Sequence, residues 1–434
     1  MSNPRKHFVL VAFPAFGHII PTLELAKKIV HFHDVTFVVS AVKLSVIRER
    51  NLMPPLSEYP ITFLPLEDGL TPENDKNVSA GQLSVIANAS NEALRKLYAT
   101  VAADFVIADF PIAASLDACH ARNIATGVFH TASAAALCNK LAVTETTVTI
   151  PDEQFLHPRN GNADIGAHGI PESMKQNNLS IQAAMKNTQA IILNSIRELE
   201  PQAINFLAGH RVTKDKDVLF VGPLFPVDTD SDDTVVQWLD KQAYRNVVYV
   251  SFGSLLIDFP AKQLTEIWMT LISLNRPFLW VLKEREETCL KALNLPETDT
   301  DHLIVRWAPQ KLVLTHPATA IFVSHCGWNS TMESVWGGVP VVAWPMAADQ
   351  HQNSQFLVDS GVALKIPNTS MLFERVISTQ QIGQRVLELT GWSNGPYGSE
   401  FTRCCGIMKE QARAAVAAGG SSDNEFKKLV GSSP

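Results

Sequence analysis

The chain has 434 residues and a mass of 47.6 kDa; it is 46% hydrophobic, 18% charged, and carries a formal charge of −7. That length suggests two or three domains with sizeable cores, and the composition excludes a disordered chain. The acidic balance, with no long run of Lys and Arg, argues against nucleic acid or an anionic membrane surface as a partner.

The amino terminus, MSNPRKHFVLVAFPAFGH, starts basic and turns apolar, but Pro14 and Gly17 interrupt it and an amphipathic stretch follows at once. It reads as a first strand and not as a signal peptide. No apolar stretch approaches the ~18–20 residues of a membrane span. Six cysteines (Cys119, Cys138, Cys289, Cys326, Cys404 and Cys405) are scattered without a C-x-x-C pair. This fits a reducing compartment and speaks against a zinc ribbon or a disulfide framework. Asn-x-Ser/Thr triplets at Asn77 and Asn88 are idle without secretion. The expected location is the cytosol.

Strands are predicted at His7–Phe13, Val35–Ala41, Ile61–Glu67, Asp104–Asp109, Ile124–Ala132 and Ala190–Ile196, with a helical pattern at Pro21–Val30 and others between. Short β-branched runs alternating with helices imply parallel strands buried on both faces. Ile150–Asn178, rich in Pro, Gly, Asn and His, reads as a loop excursion. Gly222–Asp233 is Pro-bearing and acidic, as a linker should be. The alternation then restarts, with strands at Asn246–Ser254, Arg276–Lys283, His302–Trp307, Ala320–His325, Val339–Pro345 and Gly361–Ile366. The end is helical. The partition is an amino-terminal domain over 1–225, a linker and start of the second domain over 226–240, and a carboxyl-terminal domain over 241–434 whose last helix packs back on the first. Two similar α/β halves with a ligand cleft between them is the expectation.

The densest constellation is AIFVSHCGWNSTMESVWGGVPVVAWPMAADQHQ. A strand ends at His325, Gly327 makes a tight turn, and a helix begins near Asn329 or Ser330. A glycine turn feeding a helix amino terminus is an anion site, because free N–H groups and the helix dipole both face the ligand. The same letters fit a capping box, Ser330 at the cap and Glu333 at the third helical position, which needs no ligand. His325 with Cys326 could suggest a metal, but no second ligand pair sits at metal spacing.

The stretch Trp307–Gln350 resembles the signature box of the plant secondary-product glycosyltransferases, UDP-sugar-dependent enzymes of family 1: WAPQ opens it, HCGWNS is central, and Asp-Gln closes it. FPAFGH near the start, the VSFGS strand and GGSS near the end extend the resemblance over the whole chain. The resemblance implies an inverting, metal-independent enzyme of the two-lobed GT-B fold, two Rossmann-like domains facing each other across a cleft. It places the indole of Trp307 on uracil, with the backbone of Ala308 addressing the same ring and Gln310 close to the nucleoside. His325, Asn329 and Ser330 would hold the pyrophosphate, with Ser254 near it. Glu333 would bind the ribose diol, and Trp328, Asp349, Gln350 and Thr131 would contact the sugar. His130 departs from the pattern, because many relatives carry Trp there. A flat aromatic suits a base, a carboxylate suits a vicinal diol, and a helix terminus suits phosphate.

His18 and Asp109 both stand at carboxyl ends of predicted strands, where open α/β sheets put ligands. By spacing alone they are an ordinary pair. The resemblance aligns them with the family's catalytic dyad, in which His takes the acceptor's proton and Asp fixes its tautomer. Phe16, Phe129 and Leu137 could line an acceptor pocket or belong to the core. D-x-D triplets at Asp228–Asp230 and Asp299–Asp301 read as solvated loop, not as a metal site. The expected activity is transfer of glucose from UDP-glucose to a small phenolic or lipophilic acceptor such as a flavonoid, by a plant-type monomer with no metal or other cofactor. Alternatives are a C-glycosyltransferase on the same fold, a non-catalytic nucleotide-sugar binder, and an NAD-dependent oxidoreductase. The last is disfavoured because the first turn lacks G-x-G-x-x-G.

Overall fold

A parallel strand covered on both faces must be apolar almost throughout, and the strand sequences fold as they read. The computed structural model describes residues 4–49, 53–73, 83–142, 172–226, 234–253, 259–293, 301–370, 373, 375–392 and 397–431. The chain divides into two compact units. The first takes in the described residues up to Pro226 together with the segment from Ala414 onward, and the second the described residues from there to Arg413.

Among the described residues the first unit has a seven-stranded sheet: β1 (His7–Val11), β2 (Asp34–Ser40), β3 (Ile61–Leu66), β4 (Phe105–Asp109), β5 (Ala125–His130), β6 (Ala190–Leu193) and β7 (Asp217–Phe220). Their order is β3-β2-β1-β4-β5-β6-β7, and neighbouring strands pair parallel, with Phe8 opposite Val35 on one side and opposite Phe105 on the other. Side chains alternate between two cores, as the two-residue period of a strand requires. Val9, Val11, Val106, Ala108, Val128 and Ile191 face one core. Phe8, Leu10, Ile107, Phe129 and Ile192 face the other, which is closed by Ile19, Leu25 and Ile29 of the helix Phe16–Ile29. Phe129 and Leu137 are thus fully buried core residues.

The final helix, Ser421–Leu429, completes that second core with Phe426, whose burial contributes roughly 2–3 kcal/mol. Glu425 accepts from the Phe220 backbone N–H on the open edge of β7 and pairs with Arg197 at 2.6 Å, and Lys428 pairs with Asp217 at 2.6 Å. A covered edge cannot recruit another chain. The second unit therefore ends at Arg413, short of the sequence partition.

In the second unit the described strands are β8 (Val247–Ser251), β9 (Phe278–Val281), β10 (His302–Val305), β11 (Thr319–Ser324), β12 (Val341–Ala343) and β13 (Ala363–Lys365), ordered β10-β9-β8-β11-β12-β13 and again parallel. In each sheet the winding reverses once, between β1 and β4 and between β8 and β11. Ligands of doubly wound sheets bind at such reversals, beyond the carboxyl ends of the strands.

Three sequence expectations change. The first helix starts at Phe16, ahead of the predicted Pro21, so His18 lies in its first turn and not at the end of the preceding strand. Residues 172–178 open the helix Glu172–Met185, whereas the rest of the predicted excursion up to 171 includes residues outside the described ones. The seventh strand, β7, was not expected; its DVLF is too short to stand out beside the polar Lys214–Lys216 turn. Among the described residues no helix is long and apolar enough to cross a membrane, and all six cysteines are free thiols.

Candidate active site

β1 and β4 flank the reversal of the first sheet, and each delivers one titratable side chain to it. Asp109 is the last residue of β4 and is fully buried. His18 sits in the first turn of the helix that follows β1, its side chain 29% exposed. Its Nδ1 lies 2.8 Å from Asp109 Oδ2. The same carboxylate oxygen accepts from the Phe13 backbone N–H at 3.1 Å, which ties Asp109 to the end of β1. Thr131, immediately after β5 and buried, brings Oγ1 to 3.0 Å from the same Nδ1. The Asp109 carboxylate can only accept, which places the neutral imidazole's proton on Nδ1 and leaves the lone pair on Nε2. The other oxygen of Asp109, Oδ1, is buried without a hydrogen-bond partner among the described residues.

Thr131 thus belongs with the dyad at His18. Its neighbour His130 points inward: the residue is 1% exposed, its ring stands edge-on to Phe110 at 5.0 Å, and Nε2 meets Lys140 Nζ at 3.3 Å. Burial first, then the Lys140 charge, hold its pKa well below the usual histidine range. It is a neutral, embedded ring.

The second sheet's reversal has β8 and β11 on its sides. After β11 the chain turns through His325, Cys326 and Gly327 into the helix Trp328–Gly337. His325 fits because two residues against its ring are glycine: a Cβ on Gly253 would lie 2.5 Å from His325 Cε1, and one on Gly327 2.6 Å from Nε2. Gly253 also has φ +72, a conformation that favours glycine. Burial lowers the His325 pKa to about 4 against a backbone hydrogen bond at Ser251 that raises it, so the ring is neutral and contributes hydrogen bonding, not charge. Its Nδ1 is buried without a hydrogen-bond partner among the described residues. Cys326 adopts φ +62 and is held by Ser324 Oγ on its N–H and by Asn353 Nδ2 on its carbonyl. Burial pushes its thiol up to about 12, so without a metal it stays protonated at neutral pH and is no nucleophile.

The capping-box reading of Ser330 does not hold. Gly327 is the cap residue, so Ser330 is the third helical residue, and its hydroxyl accepts from Gln310 Nε2 at 2.7 Å. Gln310 Nε2 also donates to Glu333 Oε2 at 2.6 Å, and Tyr249 OH donates to Gln310 Oε1 at 3.0 Å. Gln310, Ser330 and Glu333 are therefore one hydrogen-bonded cluster. Desolvation pushes the Glu333 carboxyl up to about 7, against the hydrogen bond from Gln310 and the charge of Lys311. The helix carries no acidic residue in its first turn, which leaves its amino terminus electropositive.

Trp307 follows β10 and is 57% exposed, so it is not a core residue, and Ala308 beside it is buried. Trp328 is buried, with its ring beside Phe356 at 6.0 Å; a ligand at that helix start would meet its backbone and not its indole. Asn329 is the second residue of that helix. Asp349 accepts from Asn353 Nδ2 at 2.9 Å. Gln350 is 1% exposed, and its Oε1 accepts the backbone N–H groups of Met346 and Ala347 at 2.8 and 3.0 Å. Its acceptor end thus shapes its own loop, and only the NH₂ end could serve a sugar. Ser254 lies outside the described residues, as do Asp228, Asp230 and Asp299. Asp301 is described, and its two oxygens accept from Trp238 and Gln242. Two contributors escaped the sequence reading. Asn353 stands four residues after Asp349, a helical spacing that could have flagged it, whereas Tyr249 gave no signal.

Residues 216–380 match the family model described as UDP-glucoronosyl and UDP-glucosyl transferase. UDP-glycosyltransferase 71A15 of Malus domestica is 28% identical over 99% of both chains. The anthocyanidin 3-O-glucosyltransferase of Gentiana triflora is 36% identical over 56% of this chain and 51% of its own. Among solved structures, a UDP-glucosyltransferase from Polygonum tinctorium, described as capable of glucosylating indoxyl and seen in complex with 3,4-dichloroaniline, superposes with a TM-score of 0.80 at 24% identity, covering 99% of each chain. The two Rossmann-like units are those of the GT-B fold.

Proposed function

Because the chain belongs to the plant-type, UDP-sugar-dependent family 1 glycosyltransferases, we propose that it moves glucose from UDP-glucose to a hydroxyl of a small phenolic or otherwise lipophilic acceptor, with inversion, to give a β-glucoside. Transfer from a UDP-sugar to a small acceptor is the activity of the family. Glucose and the phenolic acceptor are supported by relatives whose names specify them, such as the Gentiana triflora anthocyanidin enzyme and the Quercus robur gallate 1-beta-glucosyltransferase.

The observation that carries the mechanism is the 2.8 Å contact between His18 Nδ1 and the buried Asp109. An alcohol is a weak nucleophile until its proton is taken. With Nδ1–H committed to Asp109, Nε2 takes that proton, and Asp109 stabilises the imidazolium that forms. The acceptor oxygen forms its bond to the anomeric carbon from the face opposite UDP. The bond from that carbon to the phosphate oxygen breaks, and its electron pair leaves with UDP. The first-turn N–H groups of the helix Trp328–Gly337 meet the developing charge, with a hydrogen bond from neutral His325. Glu333 takes the ribose hydroxyls, Trp307 covers the uracil beside the Ala308 backbone, and Asp349 with the Gln350 amide addresses the sugar. No metal enters this scheme. We place the protein in the cytosol as a monomer.

The test is incubation with UDP-glucose and a panel of phenols, with mass-spectrometric detection and assignment of the anomer by NMR. A β-O-glucoside is expected. UDP binding without product would leave a nucleotide-sugar binder, an acid-stable carbon-linked product a C-glycosyltransferase, and preferential binding of NAD an oxidoreductase.

A further inference from the structure

Tyr249 lies outside the Trp307–Gln350 stretch, in the middle of β8, and is 1% exposed. Its ring stacks on Phe322 of the neighbouring β11, with centroids 4.8 Å apart and planes 17° from parallel, which fixes where the hydroxyl points. That hydroxyl donates to Gln310 Oε1. Burial holds the phenol well above its ordinary pKa, so it stays a donor throughout the physiological range. A carboxamide has one accepting end and one donating end of nearly equal size, and its partners decide which way round it sits. With Oε1 taken by Tyr249, Nε2 must face Ser330 and Glu333, as it does.

We propose that Tyr249 is a positioning residue of the nucleotide site: by locking the Gln310 amide in one orientation, it keeps Glu333 ionised and in place to accept a vicinal diol. This rests on the reading of Glu333 as the ribose-binding carboxylate. Without the phenol, the amide can turn over and present Oε1 to Glu333. That arrangement is tolerable only when Glu333 carries a proton to donate. The balance is within reach of ordinary pH, because burial already raises Glu333 to about 7. The charged and titratable groups acting on it among the described residues are Lys311, on the helix that Gln310 opens, and Tyr249 itself. Lys311 favours the carboxylate, so the amide and Lys311 work together against desolvation.

The experiment is calorimetric titration with UDP between about pH 5.5 and 8.5, the range in which a group near 7 changes charge. Native affinity should fall as the pH falls through the Glu333 transition. Glu333→Gln, which lacks that transition, separates it from the titration of the phosphates. In Tyr249→Phe the midpoint should move up, and UDP affinity at neutral pH should drop several-fold, because a smaller share of Glu333 is then ionised at that pH. The acceptor KM should not move. Gln310→Met should raise the midpoint likewise, which keeps the test open if Tyr249→Phe does not fold, and adding Tyr249→Phe to it should cost nothing further. An unchanged midpoint in either single variant overturns the proposal, whether affinity is native or lowered equally at every pH, since an even loss is what general loosening would give. A native chain that binds no UDP overturns the nucleotide reading itself, and this proposal with it.

Discussion

The two units use one backbone device for opposite chemistry. In both, the reversal of the sheet opens a place beyond the strand ends, at β1 and β4 in one and at β8 and β11 in the other. In the first unit, side chains from three strand ends converge on one proton, with Asp109 sealed, Thr131 beside it and His18 partly open. In the second, neutral groups and the amino terminus of a ten-residue helix surround a place for an anion, and the carboxylate present, Glu333, titrates near neutrality. The fold supplies positions; the residue that follows each strand decides whether the position moves a proton or holds a charge. If that division is right, damage to the first site should strike turnover and spare nucleotide binding, and damage to the second should do the reverse.

The largest effect should come from His18→Ala. A positioned base contributes ~10²–10⁴-fold, so turnover should fall by about that range while UDP affinity barely moves. Asp109→Ala should also cost turnover, though less, since a badly oriented imidazole still accepts a proton. The double variant should lose far less than the product of the two, because the pair acts as one unit. Phenols of low pKa ionise by themselves and should depend less on His18 than aliphatic alcohols do. Rates for acceptors of rising pKa, native against His18→Ala, test this. A negligible deficit across the series would make His18 a turn residue and remove the division of labour with it.

Next in size is the second unit. Glu333→Ala removes a carboxylate from a vicinal diol and should weaken UDP by roughly 10–100-fold, the worth of one or two hydrogen bonds to a charged group. Gln350→Ala should change UDP affinity little and instead narrow the preference for UDP-glucose over UDP-galactose by a few-fold. Its Oε1 also holds the Met346–Ala347 backbone, so a stability loss of about 1 kcal/mol should accompany it. Calorimetry with UDP and competition between the two sugar donors read both effects. Native preference for UDP-galactose or UDP-glucuronate would break the assignment of the donor.

The contrast between the units also explains what could be read from the sequence. Most of the second site lies within Trp307–Gln350, so contacts such as Gln310 to Ser330 are packed into a local pattern and stand out as a motif. The first is assembled across 91 residues between His18 and Asp109, and no spacing rule reaches that far. Only the likeness to a family joined them. Strand runs were legible because burial on both faces demands apolar letters in sequence, and β7 escaped because four residues beside a lysine-rich turn make no such run. Ionisation states were hidden entirely. That His325 is neutral, the Glu333 carboxyl raised to about 7, and Gln350 turned to its own backbone depends on burial that only the folded chain defines.

The smallest expected effect is the one that tests how the second site meets its charge. The helix Trp328–Gly337 brings the equivalent of about half a positive charge to its amino terminus. No side chain in its first turn opposes that charge, and His325 adds a hydrogen bond without a charge of its own. On the proposed mechanism, diphosphate stabilised in this way needs no divalent ion to leave. Asp301, the described member of the D-x-D triplets, accepts hydrogen bonds from Trp238 and Gln242. Turnover with UDP-glucose should therefore be the same, within error, before and after dialysis against EDTA, and added manganese or magnesium should not raise it. Activity that disappears with the chelator and returns with manganese would mean that the helix terminus is not what receives the departing phosphates. The two units would then differ in more than which side chains follow their strands.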